Sequence, residues 1–373
     1  MKLKEMLVEM LNHKASDLHL RVGVRPHLRV NGRLEPITTE PLTIDLMDNI
    51  VNQILNEKQL DRFRKKNEMD LALSVAKLGR FRINLYRQRG TTGIAIRAVN
   101  TRIPLFEELN LPDVLRSLAA EKRGLIVVTG TTGSGKSTTL AAMIEYMNAN
   151  RLDNILTVED PIEYIYRDKK CIITQREVGA DTESFATALR HSLRQDPDVV
   201  MIGEIRDIET MSIALTAADT GHLVLTTLHT LNAVETISRI VSFFPPHQHQ
   251  QIRLLLAGTL KAIICQRLMY RTDMPGRVPA LEIMISTAAI RDCLMSQEKT
   301  AGIPDLIEQG GQQYGMTSFD QSIMKLYRAG MISYEEALTQ CTNTDDFELR
   351  VKGIHGAADR WVAEQTAGER SDF

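Results

Sequence analysis

The chain has 373 residues, room for two or three domains of roughly 150 residues each. Hydrophobic residues make up 43% and charged residues 25%, a globular balance that excludes bulk disorder, collagen-like repeats and coiled-coil rods. The 45 Lys and Arg nearly match the 47 Asp and Glu, so the basic excess of a duplex-binding protein is missing and no nucleic-acid partner is expected.

At the N-terminus, MKLKEMLVEMLNHK mixes charge and hydrophobe at helical spacing, which predicts an amphipathic helix rather than a signal peptide. Short strands are expected at 18–20 and 28–30, with Asn31-Gly32 as a hairpin turn because both residues tolerate positive φ. Residues 43–66 carry Leu46, Ile50, Ile54 and Leu60 near helical spacing and predict one helix of several turns. Three strands follow at 70–76, 80–88 and 93–99. In the second, Phe81, Ile83 and Leu85 alternate with Arg80, Arg82 and Asn84, one buried face against one polar face. With no long crossovers, residues 1–110 predict an α+β domain, an antiparallel sheet with helices on one side.

From about residue 112 the pattern changes to α/β. Apolar strands at 124–129, 154–158, 198–202 and 222–228 alternate with helical stretches, as in a parallel sheet covered on both faces. Residues 162–176 predict a small hairpin excursion. Beyond residue 247 the pattern reads as mainly helical, with a turn at 275–279 and a frayed polar tail at 361–373. The most apolar stretch, 254–265, is interrupted by Lys261 and falls short of the roughly 20 residues of a membrane span. Cys171, Cys265, Cys293 and Cys341 form no CxxC pair, so neither a zinc site nor a disulfide framework is expected, and a cytoplasmic location is.

The decisive segment is GTTGSGKST, Gly130, Thr131, Thr132, Gly133, Ser134, Gly135, Lys136, Ser137 and Thr138, between an apolar strand and a helix. It fits G-x-x-x-x-G-K-[ST]. Glycines let backbone N–H groups wrap a polyphosphate, and the following helix brings its positive end to the anion. Lys136 suits the β- and γ-phosphates, and the Ser137 hydroxyl suits Mg²⁺. ATP and Mg²⁺ are the expected ligands.

Hydrolysis also needs a further metal contact and a group that positions water. Two acidic clusters follow strands of the same sheet: Glu159, Asp160 and Glu163 in one, Glu204 in the other. Asp207 reads as a helix cap. In GHLVLTTLHT, His222 and His229 bracket a strand, and their odd separation puts them on opposite faces of a regular strand, so at most one points easily into the site.

Taken together these segments resemble the type II/type IV secretion ATPase superfamily of RecA-like motors, which power pilus assembly, pilus retraction and type II secretion. Besides the phosphate loop, the resemblance lies in ILTVEDPIE (155–163), MIGEIRD (201–207) and GHLVLTTLHT (221–230), with ASDLHL (15–20) and RFRINLYR (80–87) near the N-terminus. It implies a homohexamer in which a smaller PAS-like N-terminal domain (1–110) packs on a neighbour's C-terminal RecA-like P-loop ATPase domain (111–373). It implies that Glu204 joins Ser137 at Mg²⁺, that Glu163 polarises the attacking water, and that His222 and His229 sense the γ-phosphate. Arginines of the N-terminal sheet are expected to reach the nucleotide, with Arg80, Arg82 and Arg97 as candidates. The expected partner is an inner-membrane pilus platform protein, with paralogous pilus ATPases as further partners.

Lacking the tetracysteine segment of assembly and secretion motors, and with ASDLHL beginning at residue 15, the chain is most similar to the retraction motors, as is GMTSFDQSI at 315–323. Those motors typically carry Ala-Ile-Arg-Asn, where this chain has Ala289, Ile290, Arg291 and Asp292. A carboxylate there loses two N–H donors and adds charge, which keeps an accessory retraction ATPase open beside a retraction motor proper. An assembly or secretion motor, a nucleic-acid motor on the same scaffold and a non-hydrolysing nucleotide sensor are the remaining alternatives.

Overall fold

The computed structural model describes residues 2–30, 32–99 and 102–353. It forms two compact units, Met1–Arg102 with Ile162–Tyr166, and Ile103–Pro161 with Arg167–Phe373.

The first unit contains α1 (Leu3–Asn12), β1 (Asp17–Arg21), β2 (His27–Val30), β3 (Arg33–Pro36), α2 (Ile44–Ile54), α3 (Glu57–Lys66), β4 (Glu68–Val75), β5 (Gly79–Gln88) and β6 (Thr91–Ala98). The strands pair antiparallel in the order β3-β2-β1-β6-β5-β4. Val30 opposite Arg33 leaves a two-residue turn in which Gly32 has φ +83°; Asn31, the other half of the expected turn, lies outside the described residues.

The single helix expected over 43–66 is two. Asn56 accepts from the Gln59 N–H at 2.9 Å while Gln59 Oε1 accepts from the Asn56 N–H at 3.0 Å, a capping box that starts α3 afresh. One sheet face is buried with the helices, through Met6, Met10, Leu18, Ile50, Phe63, Phe81, Ile83 and Leu85. The other carries a polar row in register across four strands: Arg82, Arg97, Asp17 and Arg29.

The second unit begins with α4 (Val114–Ala119), β7 (Gly124–Thr129), α5 (Lys136–Asn150), β8 (Asn154–Glu159), β9 (Ile172–Glu177), α6 (Phe185–Ser192) and β10 (Val199–Ile202). Next come α7 (Ile208–Asp219), β11 (Leu223–Leu228), α8 (Ala233–Ser242), α9 (His249–Thr259), β12 (Leu260–Tyr270) and β13 (Arg277–Ile285). The C-terminal helices are α10 (Ala288–Met295), α11 (Ile303–Gln309), α12 (Gly311–Tyr314), α13 (Phe319–Arg328), α14 (Tyr334–Gln340) and α15 (Thr344–Val351).

The sheet order is β13-β12-β7-β11-β10-β8-β9, parallel except for the β12–β13 pair. Every residue of β7, β10 and β11 is buried, so both faces of the central strands are covered.

One expectation fails here and a second holds with an exception. Residues 162–176 form no hairpin; β9 is an edge strand parallel to β8, with Asn154 opposite Ile172. The region after residue 247 is mainly helical, but β12 and β13 break it with a long hairpin inside the sheet that the sequence pattern does not predict. A strand buried on both faces reads as a continuous apolar run, and LKAIIC is indistinguishable from a buried helix by periodicity. The tail 361–373, expected to fray, lies outside the described residues. Among the described residues, no helix is long and apolar enough to cross a membrane.

Candidate active site

The loop between β7 and α5 has the backbone that polyphosphate binding demands. Gly130, Gly133 and Gly135 have φ of +142°, +80° and +90°, conformations an L side chain adopts only with strain. A Cβ at Gly130 would sit 2.4 Å from the Gln266 carbonyl oxygen, so that position is closed to any larger residue. Lys136 is the first residue of α5. Its Nζ is buried against the loop and donates to Gly130 O at 2.9 Å and Thr131 O at 3.0 Å. Burial pushes the Lys136 ammonium below the ordinary lysine value, and the Glu204 carboxylate works the other way.

Thr131, Thr132, Gly133 and Ser137 are exposed at the mouth of the loop, and Thr138 is half-buried. Ser134 Oγ is buried with no hydrogen-bond partner among the described residues. A glycine-shaped cradle, a helix N-terminus, a buried ammonium and an unpaired hydroxyl fit a nucleoside polyphosphate.

Parallel pairing decides which other candidates join this loop. Thr129 pairs with Leu228, and Ile202 with Thr226, so the residues after β7, β11 and β10 lie along one carboxyl edge of the sheet. That edge brings together Lys136, His229 and Glu204. Glu204 Oε2 is 3.5 Å from His229 Nε2, and its other oxygen pairs with Arg206. Glu204, Arg206, His229, Thr230, Glu235 and Arg239 line an open cavity of about 510 Å³. Glu159 ends β8 on the same edge, buried, and its Oε1 accepts from Thr157 Oγ1 at 2.8 Å. Asp207 is a helix cap, accepting from the Thr210 N–H at 2.8 Å.

His222 does not join them. It precedes β11 at the amino edge, where its carbonyl accepts from the Gly124 N–H at 3.0 Å and its Nδ1 lies 3.0 Å from Ala217 O. Seven residues of strand separate it from His229, about 23 Å at 3.3 Å per residue. Of the two expected γ-phosphate-sensing histidines, only His229 stands at the phosphate-loop edge within one chain.

Glu163, Arg82 and Arg97 belong to the first unit. Arg82 Nη2 lies 2.9 Å from Glu163 Oε1 and donates to Ile162 O at 3.0 Å. Arg97 Nε donates to Asp17 Oδ1 at 2.7 Å. Burial works to raise the Asp17 carboxyl, but Arg97 and the Ser16 hydroxyl outweigh it and hold the group below the usual carboxylate range. Arg80 lies on the same strand face as Arg82.

The sequence gives no warning of Gln266 and Thr139. Thr139 Oγ1 donates to Gln266 Oε1 at 2.7 Å, joining α5 to β12 beside the loop. The one hint is a glutamine directly after the apolar run AIIC at 262–265.

The family model for type II/IV secretion system proteins matches residues 1–339. The chain belongs to that family. It is 43% identical over 94% of its length to the type IV pilus ATPase PilU of Pseudomonas aeruginosa, covering 92% of that protein. It is 41% identical over 93% of its length to the type IV pilus retraction ATPase PilT of the same organism, covering all of it. Among solved structures it is similar to the crystal structure of the pilus retraction motor PilT with bound ADP, with a TM-score of 0.87 and 41% identity over 93% of this chain and 99% of that one. An α/β fold with an N-terminal domain and a C-terminal RecA-like ATPase domain is therefore common to this family member and its relatives.

Proposed function

We propose that this chain is an ATP-hydrolysing motor that powers type IV pilus retraction. The observation that carries the reading is a complete phosphate loop, with Lys136 buried in it, in a chain similar over nearly its whole length to a retraction ATPase. Loop N–H groups and Lys136 bind and orient the β- and γ-phosphates. Ser137 and Glu204 would hold Mg²⁺, which supplies neutralising charge at the phosphates. Glu163 polarises the attacking water, Arg82 orients Glu163, and His229 reports the γ-phosphate through Glu204. Arg97 stays in reserve as a second cation of the same sheet face.

Binding energy becomes work when the N-terminal and RecA-like domains of neighbouring subunits close around nucleotide in a homohexamer. The force passes to an inner-membrane pilus platform protein on the cytoplasmic side. Nucleic acid has no part in this reading. The direct test is phosphate release from ATP by the purified protein, with and without Mg²⁺. Turnover that Mg²⁺ supports and Lys136→Ala abolishes upholds the ATPase reading; equal turnover by both forms overturns it.

A second reading, an accessory retraction ATPase that works beside a paralogue, draws on the likeness to PilU and on Asp292, a carboxylate on α10 where retraction motors carry an amide.

A further inference from the structure

Gln266 stands where β7 leaves the sheet. Cys265 is the last residue of β12 that pairs with β7, opposite Thr129, whereas β12 continues against β13 as far as Tyr270 opposite Arg277. Gln266 is therefore the first residue beside the phosphate loop rather than beside the strand that leads into it.

From there a single residue touches the loop at two points and the following helix at a third. Its carbonyl oxygen packs so close to Gly130 that a Cβ there would lie 2.4 Å away. Its Nε2 lies 2.7 Å from where a Cβ at Gly135 would be, with Leu268 Cδ1 next to it at 3.6 Å. Its Oε1 accepts from Thr139 Oγ1 at 2.7 Å on the first turn of α5. The side chain is 3% exposed. It meets the start of the loop, its end and the helix that follows.

We propose that Gln266 is a positioning residue that fixes the shape of the phosphate loop for a nucleoside polyphosphate, acting through Gly130, Gly135 and Thr139. The inference rests on the ATPase reading above. A glycine-rich loop has large backbone freedom, and its N–H groups converge on a phosphate only when something outside the loop removes that freedom. The β12–β13 hairpin is rigid enough to do so, because most of both strands is buried and they pair without a break from Ala262 opposite Ile285 to Tyr270 opposite Arg277. The residue type matters as well. An amide offers an acceptor to Thr139 and leaves the Gly135 side uncharged, whereas a carboxylate of the same shape places negative charge beside the phosphates.

The test compares Gln266→Ala, Gln266→Glu and Thr139→Val with Met269→Ala, a control for burial on the same strand away from the loop. Steady-state ATP hydrolysis is measured after thermal melting has shown each variant to be folded. Gln266→Ala is expected to raise the KM for ATP about tenfold with kcat changed far less, as loss of a buried hydrogen bond that holds a binding group would do. Gln266→Glu, which keeps shape and acceptor but buries a charge, is expected to fold with a lower melting point and to raise KM at least as much.

Thr139→Val combined with Gln266→Ala should do no more than Gln266→Ala alone, and Met269→Ala should lower the melting point with KM unchanged. If Gln266→Ala fails to fold, Gln266→Glu carries the comparison. The inference is overturned if the folded Gln266 variants keep KM within about twofold of the unmodified protein, or if Met269→Ala raises KM equally. An unmodified chain that turns over no ATP overturns the ATPase reading instead, and takes this inference with it.

Discussion

Arg82 and Glu163 are a pair: Nη2 and Oε1 lie 2.9 Å apart, and the same guanidinium nitrogen donates to the Ile162 carbonyl at 3.0 Å. The contact ties strand β5 to the Ile162–Tyr166 segment within the first unit, although 80 residues separate them. Both side chains are partly open to water, so the pair adds little to stability, on the order of 0–1 kcal/mol. In the ATPase reading proposed above, the pair serves to aim Glu163.

A double-mutant cycle on this pair separates aiming from independent action. Glu163→Gln is expected to lower kcat by about 100- to 10,000-fold with nucleotide affinity retained, the range for loss of a group that acts on the attacking water. Arg82→Ala is expected to lower kcat as well. The double variant should be no worse than the more damaging single one. Losses that multiply would show that the two side chains act separately.

His229 and His222 are expected to part company. His229→Ala should reduce kcat at least about tenfold, because it removes the partner of Glu204 at the loop edge. His222→Ala should leave turnover within about twofold and lower stability by about 1 kcal/mol, the worth of its hydrogen bond to Ala217. Equal catalytic losses in the two variants would contradict the placement of His222 at the far edge of the sheet.

Nucleotide affinity should depend on pH through Lys136. Burial holds the Lys136 ammonium below the ordinary lysine value, and a bound polyphosphate favours its charged form. Affinity is therefore full below the pKa of the free protein and falls as pH rises through it towards the higher value of the complex. Titration calorimetry with ADP across the alkaline range should show this fall and proton uptake on binding. Lys136→Ala should bind weakly with no such dependence; a flat profile in the unmodified protein would count against the role of the ammonium.

Glu282 on β13 predicts a pH effect on stability. Burial raises its carboxyl above the usual range, against the Ala233 N–H, the Cys265 thiol and Arg267, while Asp320 adds to the rise. Its Oε1 accepts from the Ala233 N–H at 2.7 Å at the start of α8. For an acid with a raised folded-state pKa, the folded chain binds more protons than the unfolded one. Stability then falls as pH rises from the unfolded value through the folded one. Glu282→Gln keeps the acceptor and removes the charge, so it should flatten this fall in thermal melts and leave the neutral-pH melting point no lower. A lower melting point with an unchanged slope would contradict it.

How far the sequence reaches can be judged from particular elements. The strands β7, β10 and β11 are legible because short apolar runs are bounded by Gly, Asp and polar residues. The face of β5 is legible because Phe81, Ile83 and Leu85 alternate with polar residues. Where both faces of an element are buried, alternation vanishes, and the β12–β13 hairpin passes for helix. The break at Leu55-Asn56 is readable in hindsight from the Asn56-x-x-Gln59 capping box, which a helical hydrophobic spacing masks. Motif spacing locates the phosphate loop and puts His222 and His229 at opposite ends of one strand; that His229 shares the loop's edge follows only once β11 is seen to run parallel to β7. Nor does anything local mark Gln266: its partners Thr139 and Gly130 are more than a hundred residues away and meet it only through sheet order.

Surface pilus counts test the motor reading most directly. The host is a piliated strain that lacks its own retraction ATPase, expressing either this chain or its Lys136→Ala form. The unmodified chain is expected to reduce surface pili and restore twitching, and Lys136→Ala to do neither. If the count falls only when a resident retraction ATPase is also present, the chain is an accessory motor. Equal counts with both forms in either background would contradict an ATP-driven retraction motor.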